Sequence, residues 1–197
     1  MIEYAASPAR VVPAELPRIS LRDNWWIVIP VAALVAAIQS HVFWFLNYVH
    51  VFTAILWTGT DIFMGFILGP ILRRVDLPVR RAILVRLMPR MVFYMPTVSL
   101  VTTTAGWYLA VWMGLFGLPG LKIWWLWSTL AIVTIMTVQG LGVLLPTNLG
   151  VYFEMRKEAP DGEKIRRLMS LYVRVVAIQA VLQFVIILFM ARFATGV

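Results

Sequence analysis

The sequence contains no cysteine, so disulfides, zinc–thiolate sites, iron–sulfur clusters and redox-active thiols are all excluded. Charged residues are scarce at 13%, whereas a soluble domain carries about 25%. Hydrophobic residues make up 61% of the chain, and the mean hydropathy is +0.86. Because so little polar surface cannot cover a water-soluble globule, we expect an all-α integral membrane protein whose main partner is the lipid bilayer.

Several functional motifs are also missing from the chain. We find no catalytic triad, Walker loop, dinucleotide-binding fingerprint or His-x-x-x-His metal motif, which argues against soluble-type enzyme chemistry and leaves open whether the chain is an enzyme. The net charge is +8, but the basic residues lie between apolar runs. Membrane topology explains that arrangement, and we expect no nucleic-acid partner.

Five apolar runs follow a polar tail at residues 1–23 and predict one transmembrane helical domain over residues 24–197. The first run is short, since the residues from Trp25 to Gln39 cover only about 22 Å of a hydrocarbon core of about 30 Å. We predict a four-helix core preceded by an additional N-terminal membrane helix, with a re-entrant or surface helix as the alternative. The predicted spans are residues 25–41, 43–72, 91–116, 123–146 and 170–192.

The basic residues orient these spans. Residues 73–90 hold six arginines and one acid, and residues 148–167 hold five basic residues. The positive-inside rule therefore places both segments, as loops, in the cytoplasm of a bacterial-type inner (plasma) membrane. The N-terminus is then cytoplasmic if the first run spans the membrane, and external if it does not.

Two histidines, His41 and His50, are the candidate metal ligands. Nine residues separate them, so at about 100° per residue they point to opposite faces of a continuous helix and cannot share one metal ion. His50 lies deeper in its apolar run. An imidazole at membrane depth can ligate haem iron or copper or relay protons, and the alternative is a histidine that is only hydrogen-bonded inside the bundle.

Asp61 lies eleven residues after His50, which returns it to within about 20° of the same helix face. We predict that this face, which also carries Asn47, Ala54 and Trp57, lines the bundle interior. A buried carboxylate needs a partner or a proton. We therefore expect Asp61 to act as a proton relay or to form a structural ion pair.

Possible partners of Asp61 lie at similar depth on the later helices, and Arg174 is the expected counter-ion on grounds of charge. Gly59 is expected to permit close approach of a helix or a flat cofactor. The other candidate partners of Asp61 are Thr97, Ser99, Thr102, Thr103, Gln139 and Gln179.

The segment from His50 through Trp57 to Gly59, followed by a basic foot at Arg73-Arg74, resembles the first core helix of a membrane superfamily. That superfamily includes the copper-resistance D-type proteins, the HemJ-type protoporphyrinogen oxidases and the membrane domain fused to some cytochrome-linked urate oxidases. Three further segments are similar to those of the superfamily. They are the start of a helix at Arg86–Arg90, the segment Thr104-Ala-Gly106, and the end of a helix at Leu145-Pro146.

The resemblance implies a four-helix core in which His50 is an axial ligand of haem b or contacts a metal, beside Trp57 and Gly59. Two features depart from the pattern. Asp61 stands where the family usually has a small residue, and the lysine that the HemJ type uses on a later helix has no obvious match. Protoporphyrinogen oxidation is therefore not expected, and the second axial ligand would come from a methionine, Lys122 or a second protomer.

Three functions follow as hypotheses. The first is a haem b-binding redox or electron-transfer component. The second is a metal or proton permease whose pathway is lined by the face from His50 to Asp61. The third is a cofactor-free accessory subunit of a larger membrane complex, with other membrane subunits or a second copy of the chain as partner.

Overall fold

The structure is a computed structural model that describes residues 18–120 and 122–195. Residues 1–17 of the predicted polar tail lie outside this part of the chain. The described residues form helices joined by short connections and contain no strand. Two π-helical segments, Phe63–Leu68 and Gly140–Leu144, and two 3₁₀ segments, Arg22–Ile27 and Leu115–Gly117, interrupt or extend the α-helices. The α-helices are α1 (Val28–Ser40), α2 (Phe43–Ile62), α3 (Gly69–Arg74), α4 (Leu77–Trp112), α5 (Lys122–Gln139), α6 (Leu145–Met155) and α7 (Gly162–Ala194).

Five helical rods are long and apolar enough to cross a membrane, which agrees with an all-α, multi-pass membrane architecture. Their outer surfaces are strongly apolar, and Trp44, Ile55, Phe66, Val181 and Leu188 each expose more than 60% of their surface. A water-soluble monomer rarely exposes so much contiguous apolar area, whereas lipid accepts it. The rods are Arg22–Ser40, Phe43–Arg74, Pro78–Trp112, Ile123–Met155 and Gly162–Ala194.

The rods are longer than the predicted spans, and this corrects the two predicted loops. Helix α4 runs from Leu77 through Pro89 and Pro96 without ending, so most of residues 73–90 are helical. The connection between the fourth and fifth rods consists of residues 156–161 alone. At about 1.5 Å per residue, α4 is about 54 Å long and exceeds a hydrocarbon core of about 30 Å. Most of these basic residues therefore extend the helices beyond the apolar region, whereas Arg156 and Lys157 lie in the connection.

The first rod, which has 19 residues, packs along part of the longer α4. Near its start, Ile19 packs on a cluster that includes Leu72 and Leu84, at the end that carries Arg73 and Arg74, called here the basic end. At the other end, the ring of His41 stacks on Trp112 with centroids 5.8 Å apart. The first rod therefore packs along α4 between these two contacts, and Arg22 lies near the basic end.

Each π-helical segment precedes a proline, Pro70 in α3 and Pro146 in α6. A proline has no N–H, so the carbonyl four residues earlier loses its usual partner and the local spacing can widen. The first segment begins two residues after Asp61, and the second directly follows Gln139. Both interruptions therefore lie beside the polar residues of the interior.

The basic end is closed by a network that joins α4, α6 and α7. Arg81 donates from its guanidinium to the carbonyls of Met155 and Lys157, both at 2.8 Å, and so satisfies the end of α6. Glu154, which is 2% exposed, pairs with Lys157 at 2.9 Å and Lys164 at 3.0 Å. This end of the bundle is therefore packed tightly, and the functional candidates lie farther along it.

Candidate functional site

Two cavities lie inside the bundle, one after the other along its axis. The larger, called the His50 cavity, has a volume of about 510 Å³ and lies towards the end opposite the basic end. The smaller, called the Asp61 chamber, has a volume of about 40 Å³. Trp57 and Met136 line both cavities and so form the wall between them.

The predicted interior face of α2 is found at Trp57 and Asp61, which are buried, whereas His50 and Ala54 are half-buried and Asn47 is exposed. Asn47, His50, Ala54 and Trp57 line the His50 cavity, and Trp57 and Asp61 line the Asp61 chamber. Trp57 and Asp61 are 6% and 1% exposed. One helix therefore supplies the distinctive group of each cavity.

His50 is held against α4 by a backbone hydrogen bond. Its Nδ1 lies 2.9 Å from the carbonyl oxygen of Thr102, so Nδ1 carries the hydrogen and donates it. Gly106 lies one turn later on α4, and a Cβ added there would come within 2.8 Å of Cε1 of His50. Since helical Cβ atoms point towards the N-terminus, a side chain at position 106 would occupy the approach to the Thr102 carbonyl. The imidazole can reach that carbonyl because residue 106 is glycine.

This hydrogen bond decides which nitrogen of His50 is available. With the hydrogen on Nδ1, Nε2 carries a lone pair, and Nε2 has no hydrogen-bond partner among the described residues. A histidine that donates from one ring nitrogen to a backbone carbonyl while the other binds a metal is a common arrangement in metalloproteins. His50 is therefore prepared to act as a single nitrogen ligand in the wall of a cavity.

The rest of the His50 cavity is mostly apolar and large enough for a cofactor. Its volume lies within the range of about 300–1,000 Å³ that small-molecule sites occupy. Three methionines on its wall carry soft thioether sulfurs, and no arginine or lysine is among its lining residues in the described parts of the chain. The methionines are Met113, Met136 and Met190, and the polar lining residues besides His50 are Asn47, Thr58, Thr102, Thr103, Thr129 and Gln183.

These features can be tested against haem b. A planar apolar macrocycle suits the walls, Nε2 of His50 offers one axial ligand, and Met136 or Met190 offers a thioether as the second. The propionates find no basic side chain on the described wall, so they would rely on hydroxyls, amides or water at the cavity mouth. The donor set fits the iron and the ring.

Asp61 is held by two glutamines of α7. Its Oδ2 accepts hydrogen bonds from Nε2 of Gln179 at 3.0 Å and from Nε2 of Gln183 at 2.8 Å. Gln179 and Gln183 are each 1% exposed. Four residues apart on one helix, they lie on the same face and reach the same oxygen.

The expected ion pair of Asp61 with Arg174 needs correction. Arg174 is exposed, and no ion pair of Asp61 occurs among the described residues. The reason is helical geometry. Gln179 follows Arg174 by five positions on α7, which corresponds to a rotation of about 500°, so the two side chains point about 140° apart. Of the partners proposed from the sequence, only Gln179 bonds Asp61.

The structure also separates His41 and Gly59 from the site. His41 ends α1 in a left-handed conformation with φ of 53°, is exposed, and lines neither cavity. Gly59 is exposed and a Cβ there would meet no atom within 4 Å, so it faces outwards and admits no close neighbour. Gly106 has the close-contact role that was expected of Gly59. In the described part of the chain, no three His, Asp or Glu side chains gather into a metal cluster.

Two contributions were missed from the sequence. Gln183 was not considered as a partner of Asp61, although its spacing of four from Gln179 in an otherwise apolar run is a readable signal. Met136 and Met190 were not singled out among the methionines of the sequence, because only the fold brings them to the cavity of His50.

Comparison with known proteins finds no matching family model, no matching curated protein and no matching solved structure. The resemblance to the copper-resistance D and HemJ-like superfamily therefore stays a prediction.

Proposed function

We propose that this chain is a haem b-binding membrane protein that transfers electrons, with Nε2 of His50 as an axial ligand of the haem iron. The observation that carries the proposal is the fixed imidazole. Nδ1 is committed to the Thr102 carbonyl, Nε2 has no partner in the described chain, and the ring stands on the wall of a cavity of about 510 Å³.

The surroundings of His50 support the same proposal. A mostly apolar cavity excludes water, which favours an outer-sphere electron carrier over a solvent-exposed catalyst. Met136 on α5 and Met190 on α7 line the same cavity as His50, and ligation of a haem by histidine and methionine would raise its reduction potential. We therefore propose a histidine–methionine ligand pair.

Membrane placement completes the proposal. We propose an inner (plasma) membrane location in which the basic end, with Arg73 and Arg74, is cytoplasmic, because that end carries most of the arginines and lysines. The His50 cavity would then lie in the external half of the membrane, and electrons would enter or leave there.

The orientation can be tested with single cysteines, because the natural chain has none. Glu158 lies near the basic end and Gly117 near the opposite end, and both are exposed. A membrane-impermeant maleimide added to intact cells should label Gly117→Cys, and should label Glu158→Cys only after permeabilisation. The reverse labelling would overturn the orientation.

The haem proposal is tested by a reduced-minus-oxidised spectrum of the purified protein, expressed with adequate haem supply. We expect a Soret band and resolved α and β bands in the wild type, and no bands in His50→Ala. The matched control is His41→Ala, which removes the other histidine outside the cavity and should leave the spectrum unchanged. A folded wild-type protein without a Soret band would contradict the proposal and favour an accessory role without a cofactor.

A further inference from the structure

The Asp61 chamber is lined by oxygen atoms that accept hydrogen bonds or bind cations. Both glutamines donate to Oδ2 of Asp61, so neither uses Oδ1. Oε1 of Gln179, which lines the chamber, is buried without a hydrogen-bond partner in the described chain, and so is Oε1 of Gln183, which lines the neighbouring His50 cavity. A buried acceptor without a partner is costly, and it usually marks water, an ion or another ligand.

Two hydroxyl groups add to this set. Ser99 and Thr137 line the chamber, and each hydroxyl lies within hydrogen-bond distance of a backbone carbonyl of its own helix, at 3.1 Å and 2.8 Å. Since the hydroxyl hydrogen is used in that bond, the lone pairs remain for whatever occupies the chamber. The Asp61 carboxylate, the Gln179 amide oxygen and these two hydroxyls therefore present acceptors, while the side chains of Asn148 and Tyr172, which also line the chamber, can donate as well as accept.

The charge of the chamber is not balanced by a side chain. Asp61 is the acidic residue of its wall, Tyr172 is the other titratable lining residue, and no lysine, arginine or histidine of the described chain lines it. A carboxyl group inside an apolar bundle requires a positive partner or a proton. One carboxylate with neutral oxygen ligands matches a single positive charge, whereas sites for divalent ions usually gather more acidic groups.

The volume agrees with a small ion. A water molecule needs about 10–15 Å³ of such space, so a chamber of about 40 Å³ accepts one ion with one or two waters. A lysine-sized or larger organic cation would not fit in that volume.

We propose that the Asp61 chamber binds a monovalent metal cation of the sodium type, ligated by the Asp61 carboxylate, the Gln179 carboxamide oxygen and the hydroxyls of Ser99 and Thr137. The site stands on these groups alone and does not depend on haem binding in the neighbouring cavity. A proton on Asp61 would neutralise the same charge, so the experiment has to distinguish a metal ion from a proton.

The test measures thermal unfolding of the purified full-length protein in detergent, at constant pH and ionic strength, in NaCl, KCl or choline chloride. A ligand that binds only the folded state raises the midpoint with its concentration. We expect saturable stabilisation by NaCl of about 5 °C over choline chloride. Equal midpoints in all three salts would mean that the charge is neutralised by a proton, and would overturn the proposal.

Variants locate the ion. Asp61→Asn, which keeps the shape of the side chain, should abolish the sodium-dependent shift of the midpoint. Ser99→Ala should raise several-fold the sodium concentration that gives half of this shift. Because Ser99→Ala removes only one neutral ligand, it keeps the test decisive if Asp61→Asn fails to fold. The control Glu158→Gln removes an exposed carboxylate at the basic end and should retain the full shift. A sodium-dependent shift that survives in Asp61→Asn would contradict the proposal.

The result can be separated from the haem proposal by recording the spectrum of the same samples. Haem bands without a sodium effect would reject only the cation site. A sodium effect in a protein without haem bands would reject only the haem site.

Discussion

The His50 cavity and the Asp61 chamber are lined by the same face of α2, yet they differ in size, polarity and available chemistry. The first has a volume of about 510 Å³, mostly apolar walls and one nitrogen ligand, and the second has about 40 Å³ and a carboxylate among neutral oxygens. Helix α2 supplies the nitrogen ligand of one cavity and the carboxylate of the other. The helices opposite to it set the size of each cavity and the rest of its lining.

The difference in size follows from how the fourth rod packs. Helix α6 packs on both α4 and α7 and closes the bundle near the basic end, whereas α5 packs on α7 and is not closely packed on α2 or α4 within the described chain. The π-helical segment Gly140–Leu144 lies between these two parts of the rod and lines the Asp61 chamber at three positions. We infer that this interruption lets the fourth rod pack closely around the Asp61 chamber and leave the His50 cavity open.

The largest expected effect is a complete separation of the two sites by mutation. His50→Ala should remove the haem bands entirely, because it deletes the nitrogen ligand, and should leave the sodium-dependent stabilisation in place. Asp61→Asn should do the opposite, since it changes only the chamber. Spectra and unfolding midpoints measured on the same preparations check this pattern. Loss of both properties in either variant would show that the two cavities form one coupled site.

A smaller effect is expected from Gly106→Ala, which tests why the imidazole is fixed. The added Cβ would lie 2.8 Å from Cε1 and 3.1 Å from Nδ1 of His50, so the ring must move away from the Thr102 carbonyl. We expect haem content to fall several-fold and the remaining bands to shift. Gly59→Ala is the matched control, because a Cβ there meets no atom within 4 Å and should change neither quantity. Equal spectra for both variants would remove Gly106 from the account of the site.

Much of the architecture could be predicted from the sequence, because long apolar runs and a helical period are local signals. The interior position of Trp57 and Asp61 followed from periodicity, whereas Asn47, on the same predicted face, is exposed. The continuation of α4 through Pro89 did not, since neighbouring helices can stabilise a helix that proline weakens locally. The partner of Asp61 was misassigned because charge suggested Arg174, whereas rotation along α7 favours Gln179.

The wall between the cavities offers a stability test. Trp57 is 6% exposed and lines both cavities, so Trp57→Ala should join them and lower the free energy of unfolding by about 3–5 kcal/mol. Unfolding in mixed detergent micelles measures the loss. Trp44→Ala is the control, because Trp44 is 70% exposed on the outer surface and should change stability little. Similar losses for both tryptophans would contradict a separating wall at Trp57.

The smallest expected effect concerns the contact that holds α2 to α4 beside His50. The hydroxyl oxygens of Thr53 and Thr102 lie 2.8 Å apart, and each also lies 2.7 Å from a carbonyl of its own helix. Because those carbonyls can satisfy the hydroxyls when the partner is removed, the interhelical bond should contribute little. A double-mutant cycle of Thr53→Val and Thr102→Val should give a coupling energy of about 0.6 kcal/mol, which is typical of hydrogen bonds between membrane helices. A coupling of several kcal/mol would mean that the threonine pair, rather than the His50–Thr102 bond, fixes α2 against α4.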